Sequence, residues 1–319
     1  MNFKPSLLDR LLDKTILFSF SSIGYYLRRM FQQKETTGVT LSNKVCAITG
    51  ANAGLGKALA ERLAGRGATV YLLCRNEERG KKAVLDICSR INHRRVFLEL
   101  VDTSDIASIN AFAERFTDRE KQLDILINNA GVLPLERSET PAGLELTYAT
   151  NVLGYHKMIV AMEPLLIKTP GSRVINVSSG GAYGAALNLE DVEWKNRIFD
   201  GVKAYAETKR AELYLTREWA KRFINKSVLV FAVHPGWADT PGVRFSLKTF
   251  HRFMRPILRT PEQGIEAIAW LAYEPKLTIG HSGNFWLDRR IRPFDYVKST
   301  AASETEIKQL WEMVNGDVT

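Results

Sequence analysis

The stretch KVCAITGANAGLG, residues 44–56, decides the fold of this chain. Its first part, Val45–Thr49, is short, apolar and rich in β-branched residues, which predicts a buried strand. A glycine-rich turn follows at once, and from Leu55 onward leucine recurs every fourth residue, as in an amphipathic helix. Glycine lets backbone N–H groups approach a phosphate, and a helix N-terminus supplies partial positive charge. The stretch therefore predicts either a phosphate-binding loop or an ordinary tight turn, with glycines at Gly50, Gly54 and Gly56.

Strand and helix patterns alternate along the rest of the chain. This alternation predicts an α/β fold, a single doubly wound Rossmann-type parallel sheet of about seven strands with helices on both faces. Thr140-Pro141 predicts a helix start, with Thr140 as N-cap and Pro141 in the first position. The strands predicted after the first are residues 68–73, 96–101, 123–127, 173–177, 228–233 and 284–287.

Composition indicates one large domain. The chain has 319 residues, of which 45% are hydrophobic, enough to build a substantial core. We expect the core domain at residues 44–300, preceded by an extension at 1–43 and followed by a polar tail at 301–319. Cys46, Cys74 and Cys88 have no metal-ligand spacing, and the first two lie in predicted strands, so we expect buried, reduced thiols and no metal site. Reduced thiols fit a protein that faces the cytosol.

The net charge of +9 is concentrated in two stretches, residues 1–44 and 241–259. No nucleic-acid-binding motif accompanies them, so nucleic acid is not an expected partner. Anionic lipid headgroups suit both stretches, and a solvated basic surface is the alternative. The oligomeric state stays open.

Residues 15–27 carry no charge and are followed by Arg28-Arg29. Thirteen residues are too few to span a bilayer, and no small-residue cleavage site of a signal peptide follows. An amphipathic segment at the membrane surface is one interpretation, with peripheral contact through residues 1–30 and 243–258. A helix packed on the domain is the other.

Polar residues follow two of the predicted strands, where open α/β sheets bind ligands. Arg75, just after the second strand, suits the 2′-phosphate of NADP, whereas an acid there would select NAD; the alternative is an ordinary surface arginine. Asp102 closes the third strand and could contact a ligand, cap the next helix, or do both. These residues predict a nicotinamide dinucleotide site that favours NADP(H).

Tyr205 and Lys209 stand four residues apart in a helical pattern, so they share one face. A nearby ammonium favours the phenolate and makes tyrosine a usable proton donor and acceptor. Ser179, at the end of the preceding strand, can form a hydrogen bond with the substrate oxygen that exchanges a proton with Tyr205. Asn151, an unfavourable residue within a predicted helix, could hold a water beside Lys209. A serine hydrolase is excluded because Ser179 lacks the G-x-S-x-G elbow.

The ordered set TGANAGLG, NNAG, Asn151, VSS, YAETK and HPGWADT resembles the short-chain dehydrogenase/reductase family over roughly residues 42–290. This resemblance implies a catalytic set of Ser179, Tyr205 and Lys209 with Asn151 as fourth member, Tyr205 moving a proton while a nicotinamide moves the hydride. It also implies that Lys209 holds the nicotinamide ribose. The implied cofactor-binding residues are Gly50, Asn52, Gly54, Leu55, Gly56, Arg75, Asp102, Thr103, Asn129, Ala130, Gly131, Tyr205, Lys209, Pro235, Gly236 and Thr240.

Within this family the chain resembles the retinol dehydrogenase-like branch, through VYLLCRNEERG, the long gap between Ser179 and Tyr205, and the basic segment after Thr240. This branch implies an NADP(H)-dependent oxidoreductase acting on a small lipophilic carbonyl or alcohol, resembling a retinoid, a steroid or a fatty aldehyde. Residues 243–258 are either a lid or an amphipathic helix packed on the core. The aromatic residues inserted between Ser179 and Tyr205 shape the substrate pocket or belong to a surface loop: Tyr183, Trp194 and Phe199.

Two non-catalytic functions remain as alternatives. One is an NADP(H)-binding regulatory protein, which has no need of the Tyr205 proton relay. The other is a lipid-surface binding module, which depends on residues 1–30 alone. The expected location is the cytoplasmic face of an intracellular membrane, or the cytoplasm.

Overall fold

A computed structural model of the chain describes residues 3–32, 35–91 and 94–316. Its centre is one eight-stranded sheet in the order β3-β2-β1-β4-β5-β6-β7-β8. The pairings from β3 to β7 are all parallel, and β8 runs antiparallel to β7 at the edge. The predicted doubly wound sheet is confirmed, with the antiparallel β8 as an addition. The strands are β1 (Val45–Thr49), β2 (Thr69–Cys74), β3 (Val96–Leu100), β4 (Ile125–Asn128), β5 (Arg173–Val177), β6 (Leu229–Val233), β7 (Phe285–Leu287) and β8 (Arg290–Arg292).

The central strand β1 is buried on both faces, as its uninterrupted apolar sequence predicted. Cys46 and Ile48 belong to the core on one side of the sheet, and Val45 and Ala47 belong to the core on the other. Because successive strand side chains point to opposite faces, one short run supplies both cores. The thiols of Cys46 and Cys74 are free and buried, as expected.

Most helices lie where the sequence placed them, but the one predicted from Thr140-Pro141 begins later. Gly143 adopts a left-handed conformation (φ +81°) that closes a turn there, and Glu145 caps the helix by accepting hydrogen bonds from two backbone N–H groups. The predicted start at Thr140 is therefore wrong. The longer helices are α4 (Gly54–Ala64), α5 (Glu77–Ile91), α6 (Ile106–Arg119), α8 (Gly154–Lys168), α9 (Gly201–Arg222), α12 (Pro261–Tyr273) and α13 (Glu304–Gly316), and the short ones are α1 (Leu7–Asp13), α2 (Ile16–Phe20), α3 (Ser22–Met30), α7 (Leu146–Tyr148), α10 (Pro241–Ser246) and α11 (Lys248–Met254).

The N-terminal extension packs on the core domain through α1, α2 and α3. The Phe3 ring packs edge to face on Trp270 and Trp286. Leu12, Phe20 and Tyr25 are also buried. Residues 1, 2, 33 and 34 lie outside the described residues. Among the described residues, no helix combines the length and the apolar composition that crossing a bilayer would require. Of the two interpretations of this segment, packing on the domain is the one that the structure shows.

A buried charge cluster fastens this extension to the sheet. Arg28 on α3 forms ion pairs with both aspartates of α1 and with Asp288 in the β7–β8 turn. Asp288 also receives two hydrogen bonds from Arg259, and Arg292 pairs with the α1 aspartates. The opposite charges balance, which buried ionised groups require. The members of the cluster are Asp9, Asp13, Arg28, Arg259, Asp288 and Arg292.

The C-terminal tail forms α13, which packs on α9 through one apolar face. Ile307, Leu310 and Val314 are buried, while the other face is polar. Trp311 adds an edge-to-face contact with Trp219 of α9. The tail is thus an amphipathic helix over residues 304–316, and residues 317–319 lie outside the described residues.

Candidate active site

The loops after the carboxyl ends of β1 to β4 surround a cavity of about 320 Å³. The glycine loop and the loop after β4 follow neighbouring strands and both contribute to its wall. This edge is where open α/β sheets bind ligands. Most of the predicted cofactor-binding residues line it: Gly50, Asn52, Gly54, Leu55, Arg75, Asp102, Thr103, Asn129, Ala130, Gly131 and Thr240.

The glycine loop has the geometry of a phosphate cradle. Gly50 and Gly54 have positive φ angles of 64° and 54°, which side-chain-bearing residues rarely adopt. A Cβ on Gly56 would lie 2.5 Å from the Gly50 carbonyl oxygen, so only glycine fits there. The N-cap of α4, Ala53, has no side chain to satisfy the first N–H groups of the helix, which leaves them available to an anion.

Thr49, which sequence reasoning treated only as a strand end, ties this loop to the loop after β4. Its hydroxyl oxygen accepts hydrogen bonds from the backbone N–H groups of Asn129 and Ala130, at 2.9 Å each. The Asn129 amide returns a bond of 2.9 Å to the Thr49 carbonyl. Asn129 therefore fixes the two loops beside the cavity as well as lining it.

Arg75 and Asp102 lie at the ends of β2 and β3, on the wall of the same cavity. The Arg75 side chain is exposed and, within the described part of the chain, has no acidic partner. Asp102 accepts hydrogen bonds from the backbone N–H and the hydroxyl of Ser104. The alternative role of Asp102 as the helix N-cap is wrong, because Asp105 caps α6.

Helix α9 presents Tyr205 and Lys209 on one face, below the end of β5 that carries Ser179. The Lys209 ammonium lies 5.4 Å from the centre of the Tyr205 ring. Burial raises the pKa of Tyr205, whereas Lys209 and a side-chain hydrogen bond with Ser179 act to lower it. The predicted influence of Lys209 on the phenol is present, but burial outweighs it.

Asn151 lies in a π-helical turn, Ala149–Leu153, between α7 and α8. Its side chain accepts a hydrogen bond from the Val132 N–H and donates to the Val132 carbonyl and to the Thr208 hydroxyl. The turn aims the amide at the loop after β4, which explains an asparagine inside a helix. The amide joins that loop to α9, and the expected water beside Lys209 stays a prediction.

The Lys209 ammonium donates three hydrogen bonds to groups of the protein. It donates to the Val177 carbonyl at 3.0 Å, to the Tyr155 hydroxyl at 3.4 Å and to the Glu212 carboxylate at 2.6 Å. Burial opposes its charge, yet Glu212 and the two tyrosines raise the pKa of Lys209 above its ordinary value. Lys209 is therefore a fixed cation. Glu212 and Tyr155 were missed because neither belongs to a recognisable motif.

A second cavity, of about 610 Å³, opens beyond Tyr205, and several residues line both this cavity and the first. Ser179, Tyr205, Lys209, Pro235 and Gly236 line it, so every predicted site residue except Gly56 and Asn151 lines one of the two cavities. The two cavities adjoin at the residues that line both, and Tyr205 lines the second one. The shared residues are Leu55, Asn129, Gly131, Val132, Thr240 and Gly242. Apolar side chains line much of the second cavity: Leu133, Val177, Trp237, Val243, Leu247 and Phe250.

Helices α10 and α11 cover part of this second cavity. No residue of either helix is fully buried, but the Phe250 ring packs edge to face on Trp237. The lid remains a prediction. The inserted residues Tyr183, Trp194 and Phe199 do not line the cavity, because Trp194 packs on Phe199 and under Arg197, and the Tyr183 hydroxyl bonds the Pro293 carbonyl.

The N-terminal extension reaches the back of this site. The ring of Phe20 stands edge to face against His234, whose ring centre is 4.4 Å away, and touches Gly180. Burial lowers the pKa of His234 to about 3, so the ring is neutral. The Phe20 carbonyl accepts a hydrogen bond from the Trp237 N–H. The loops after β5 and β6 are therefore packed on α2, a contact that no motif indicated.

Comparison with known proteins agrees with this geometry. The family model described as short chain dehydrogenase matches residues 44–249. The chain belongs to the short-chain dehydrogenase/reductase family. As a member of this family, the chain is an oxidoreductase that binds a nicotinamide dinucleotide through its Rossmann-type sheet.

Relatives place the chain near the retinol dehydrogenase-like branch of the family, as its sequence predicted. Dehydrogenase/reductase SDR family member 12 of Bos taurus is 38% identical over 86% of this chain and 86% of its own length. Retinol dehydrogenase 12 of Mus musculus is 35% identical, over 93% of this chain and 95% of its own.

Solved structures share the fold. One from Mycobacterium Paratuberculosis has a TM-score of 0.69 and 25% identity, covering 89% of this chain and 98% of that one. The NADP active-site complex of RhlG from Pseudomonas aeruginosa has a TM-score of 0.63 and 23% identity, covering 77% and 94%. The doubly wound sheet of the short-chain dehydrogenases is therefore the fold of this chain.

Proposed function

We propose that the protein is an NADP(H)-dependent oxidoreductase that transfers a hydride between the nicotinamide and a lipophilic carbonyl or alcohol. The observation that carries this proposal is the position of the Tyr205 hydroxyl. Tyr205 lines the cavity with apolar walls together with Ser179 and Lys209, and this cavity adjoins the one walled by the glycine loop. A proton donor in that position can serve a substrate oxygen while a cofactor occupies the adjoining cavity.

The first cavity fits a dinucleotide. Gly56 leaves no room for a side chain, and the uncapped N-terminus of α4 faces the loop, so the pyrophosphate has N–H donors. Arg75 would hold the 2′-phosphate of NADP, and Asp102 and Thr103 would lie beside the adenosine. When bound, the cofactor supplies or accepts the hydride.

The protein side chains would transfer the proton to and from the substrate oxygen. Tyr205 donates its hydroxyl proton to the substrate oxygen when a carbonyl is reduced and takes it back when an alcohol is oxidised. Ser179 donates a hydrogen bond to the same oxygen and so orients it. The fixed charge of Lys209 stabilises the phenolate that forms on Tyr205.

The substrate class follows from the walls of the second cavity, which are largely aliphatic and aromatic. Such walls favour a molecule that loses apolar surface to water on binding, at about 25 cal/mol per Å². Several relatives carry the name retinol dehydrogenase, which supports the same class. We infer a retinoid-like, steroid-like or fatty-aldehyde-like substrate.

Replacing Arg75 tests the cofactor preference. In Arg75→Asp we expect the affinity for NADPH to fall by roughly tenfold to a hundredfold, because a charge-assisted contact becomes a repulsion. The affinity for NADH should stay the same or rise. Titration of each nucleotide against the purified variant by intrinsic fluorescence measures both constants.

Arg90→Asp is the matched control for that titration. Arg90 is an exposed arginine of α5 that pairs with Glu61 and does not line the cofactor cavity. It makes the same change of charge and should leave both affinities unchanged. An equal loss of NADPH binding in the two variants would mean that Arg75 acts only through net charge.

We also propose peripheral contact with a cytoplasmic membrane surface. Apolar side chains of the extension remain exposed although α1 to α3 pack on the domain. The Ser22 hydroxyl bonds the Ile257 carbonyl, which joins α3 to the segment that covers the substrate cavity. That segment carries Lys248, Arg252 and Arg255, which suit anionic headgroups. The exposed apolar residues of the extension and of this segment are Leu7, Leu11, Ile16, Leu17, Phe18, Ile23, Tyr26, Met30, Phe31, Phe245 and Phe253.

Co-sedimentation with vesicles that contain phosphatidylserine tests this contact. The double variant Leu7→Glu/Phe31→Glu should bind the vesicles at least about tenfold more weakly, because two inserted apolar side chains become charged. Leu85→Glu/Ile224→Glu is the matched control, since both of its residues are exposed on α5 and after α9. Equal binding of the two double variants would remove the membrane from the account.

A further inference from the structure

Glu212 lies one helical turn after Lys209 on α9, and its carboxylate is the nearest partner of the Lys209 ammonium. Lys209 Nζ and Glu212 Oε1 are 2.6 Å apart, and the side chains of Glu212 and Lys209 are only 1% and 2% exposed, respectively. The other carboxylate oxygen is buried and makes no hydrogen bond of good geometry within the described residues, because the nearby Ser178 hydroxyl donates to the Lys209 carbonyl. A buried carboxylate with one unpaired oxygen is costly and is weak support for stability, so its position beside Lys209 needs another reason.

The pair lies close enough to Tyr205 to act on its proton. Lys209 is 5.4 Å from the Tyr205 ring centre and 4.9 Å from that of Tyr155. At such distances in a buried site, a unit charge changes the ionisation of a phenol appreciably. A carboxylate next to the ammonium offsets much of that charge as seen from Tyr205.

We propose that Glu212 is a positioning residue that fixes the Lys209 ammonium and moderates its charge, and thereby sets the pH range in which Tyr205 exchanges its proton. This proposal rests on the proposed function, in which Tyr205 is the proton donor and acceptor. It assigns no contact with substrate or cofactor to Glu212.

The groups that face Glu212 come from three elements. Tyr155 lies on α8, Ser178 follows β5, and Lys209 and Tyr205 share α9 with Glu212. Burial raises the pKa of Glu212, against the opposing effects of Lys209 and of Ser178. Glu212 in turn acts to raise the pKa of Tyr205, in the same direction as burial. Removing the carboxylate charge should therefore make Tyr205 easier to ionise.

The test is the pH profile of Glu212→Gln. Glutamine keeps an oxygen that accepts from Lys209 and loses only the charge. We expect the limb of kcat/KM for alcohol oxidation that depends on ionised Tyr205 to move about one pH unit lower. The tyrosinate ultraviolet absorbance that Tyr205→Phe removes should move by the same amount, which reports on Tyr205 without turnover.

Two variants provide the controls. Glu212→Asp keeps the negative charge and should restore the wild-type profile. Glu207→Gln removes a carboxylate from the same helix that pairs with Arg197 instead, and should leave the profile in place. An unchanged or upward-shifted limb in Glu212→Gln would overturn the proposal, as would an equal loss of activity at every pH. If the wild type turned over no alcohol, the proposed function would fail, and the absorbance titration would still decide the role of Glu212.

Discussion

Tyr205→Phe should lower kcat about a thousandfold while leaving NADPH bound. General acid–base groups contribute roughly a hundredfold to ten-thousandfold, and the phenylalanine variant loses only the hydroxyl that exchanges the proton. Because the ring itself remains, the packing of α9 should be preserved. Single-turnover oxidation of NADPH with a lipophilic aldehyde measures the loss, and nucleotide titration measures the binding.

Tyr214→Phe is the control for this loss. Tyr214 is on the same helix, and its hydroxyl donates to Asp295, away from both cavities. This variant should keep wild-type kcat even if its stability falls by about 1 kcal/mol through the lost hydrogen bond. Full turnover by Tyr205→Phe would contradict the proposed mechanism.

Asp288→Asn should destabilise the protein by about 3–5 kcal/mol. The substitution removes the carboxylate that holds Arg28 and Arg259 in the buried charge cluster, and so leaves excess positive charge away from water. Urea unfolding followed by circular dichroism measures the change. Glu304→Gln, which breaks an exposed pair with Arg217, should cost less than about 1 kcal/mol.

The same cluster predicts loss of stability in acid. Burial acts against the charge of Asp288, but Arg259 and Arg28 hold its pKa at about 2, below the ordinary value of 3.8. A carboxylate with a lowered pKa in the folded state stabilises the fold above pH 4 or so and loses this contribution as the pH falls toward 2. The urea midpoint of unfolding, measured at pH 7, 5 and 3, should decrease more steeply with falling pH in the wild type than in Asp288→Asn. Parallel decreases would mean that other carboxylates dominate.

The sheet and its cofactor edge could be predicted because local patterns determine them. An apolar, β-branched run that leads directly into a turn with three glycines specifies a buried strand and a tight turn, independently of the rest of the chain. Tyr205 and Lys209 share a helix, so their common face follows from the helical period alone. These features need no knowledge of distant contacts.

The parts that could not be predicted depend on contacts between distant residues. Asp288 and Arg289 both have positive φ angles in the β7–β8 turn, without the glycine or asparagine that usually signals such a turn. Their side chains are instead held by ion pairs with Arg28 and Glu266. The contact of Phe20 with His234 likewise joins residues more than two hundred positions apart.

Glu212 shows a different limit. Its spacing from Lys209 is that of a common exposed helix pair, so the sequence contains no sign that both side chains are buried. Only the packing of α9 between β6 and α13 turns an ordinary pair into part of the site. Thr49 was missed for the same reason, since a strand-end hydroxyl has no distinctive spacing.

Deuterium transfer tests the central claim most directly. The purified protein is incubated with NADPH deuterated at the nicotinamide C4 and with retinaldehyde, a steroid ketone and a long-chain fatty aldehyde in turn, and the products are analysed by mass spectrometry. The account predicts deuterium on the carbinol carbon of at least one product, and transfer about a thousandfold slower with Tyr205→Phe. NADPH binding without transfer to any of the three would contradict it and would favour a non-catalytic NADP(H)-binding protein.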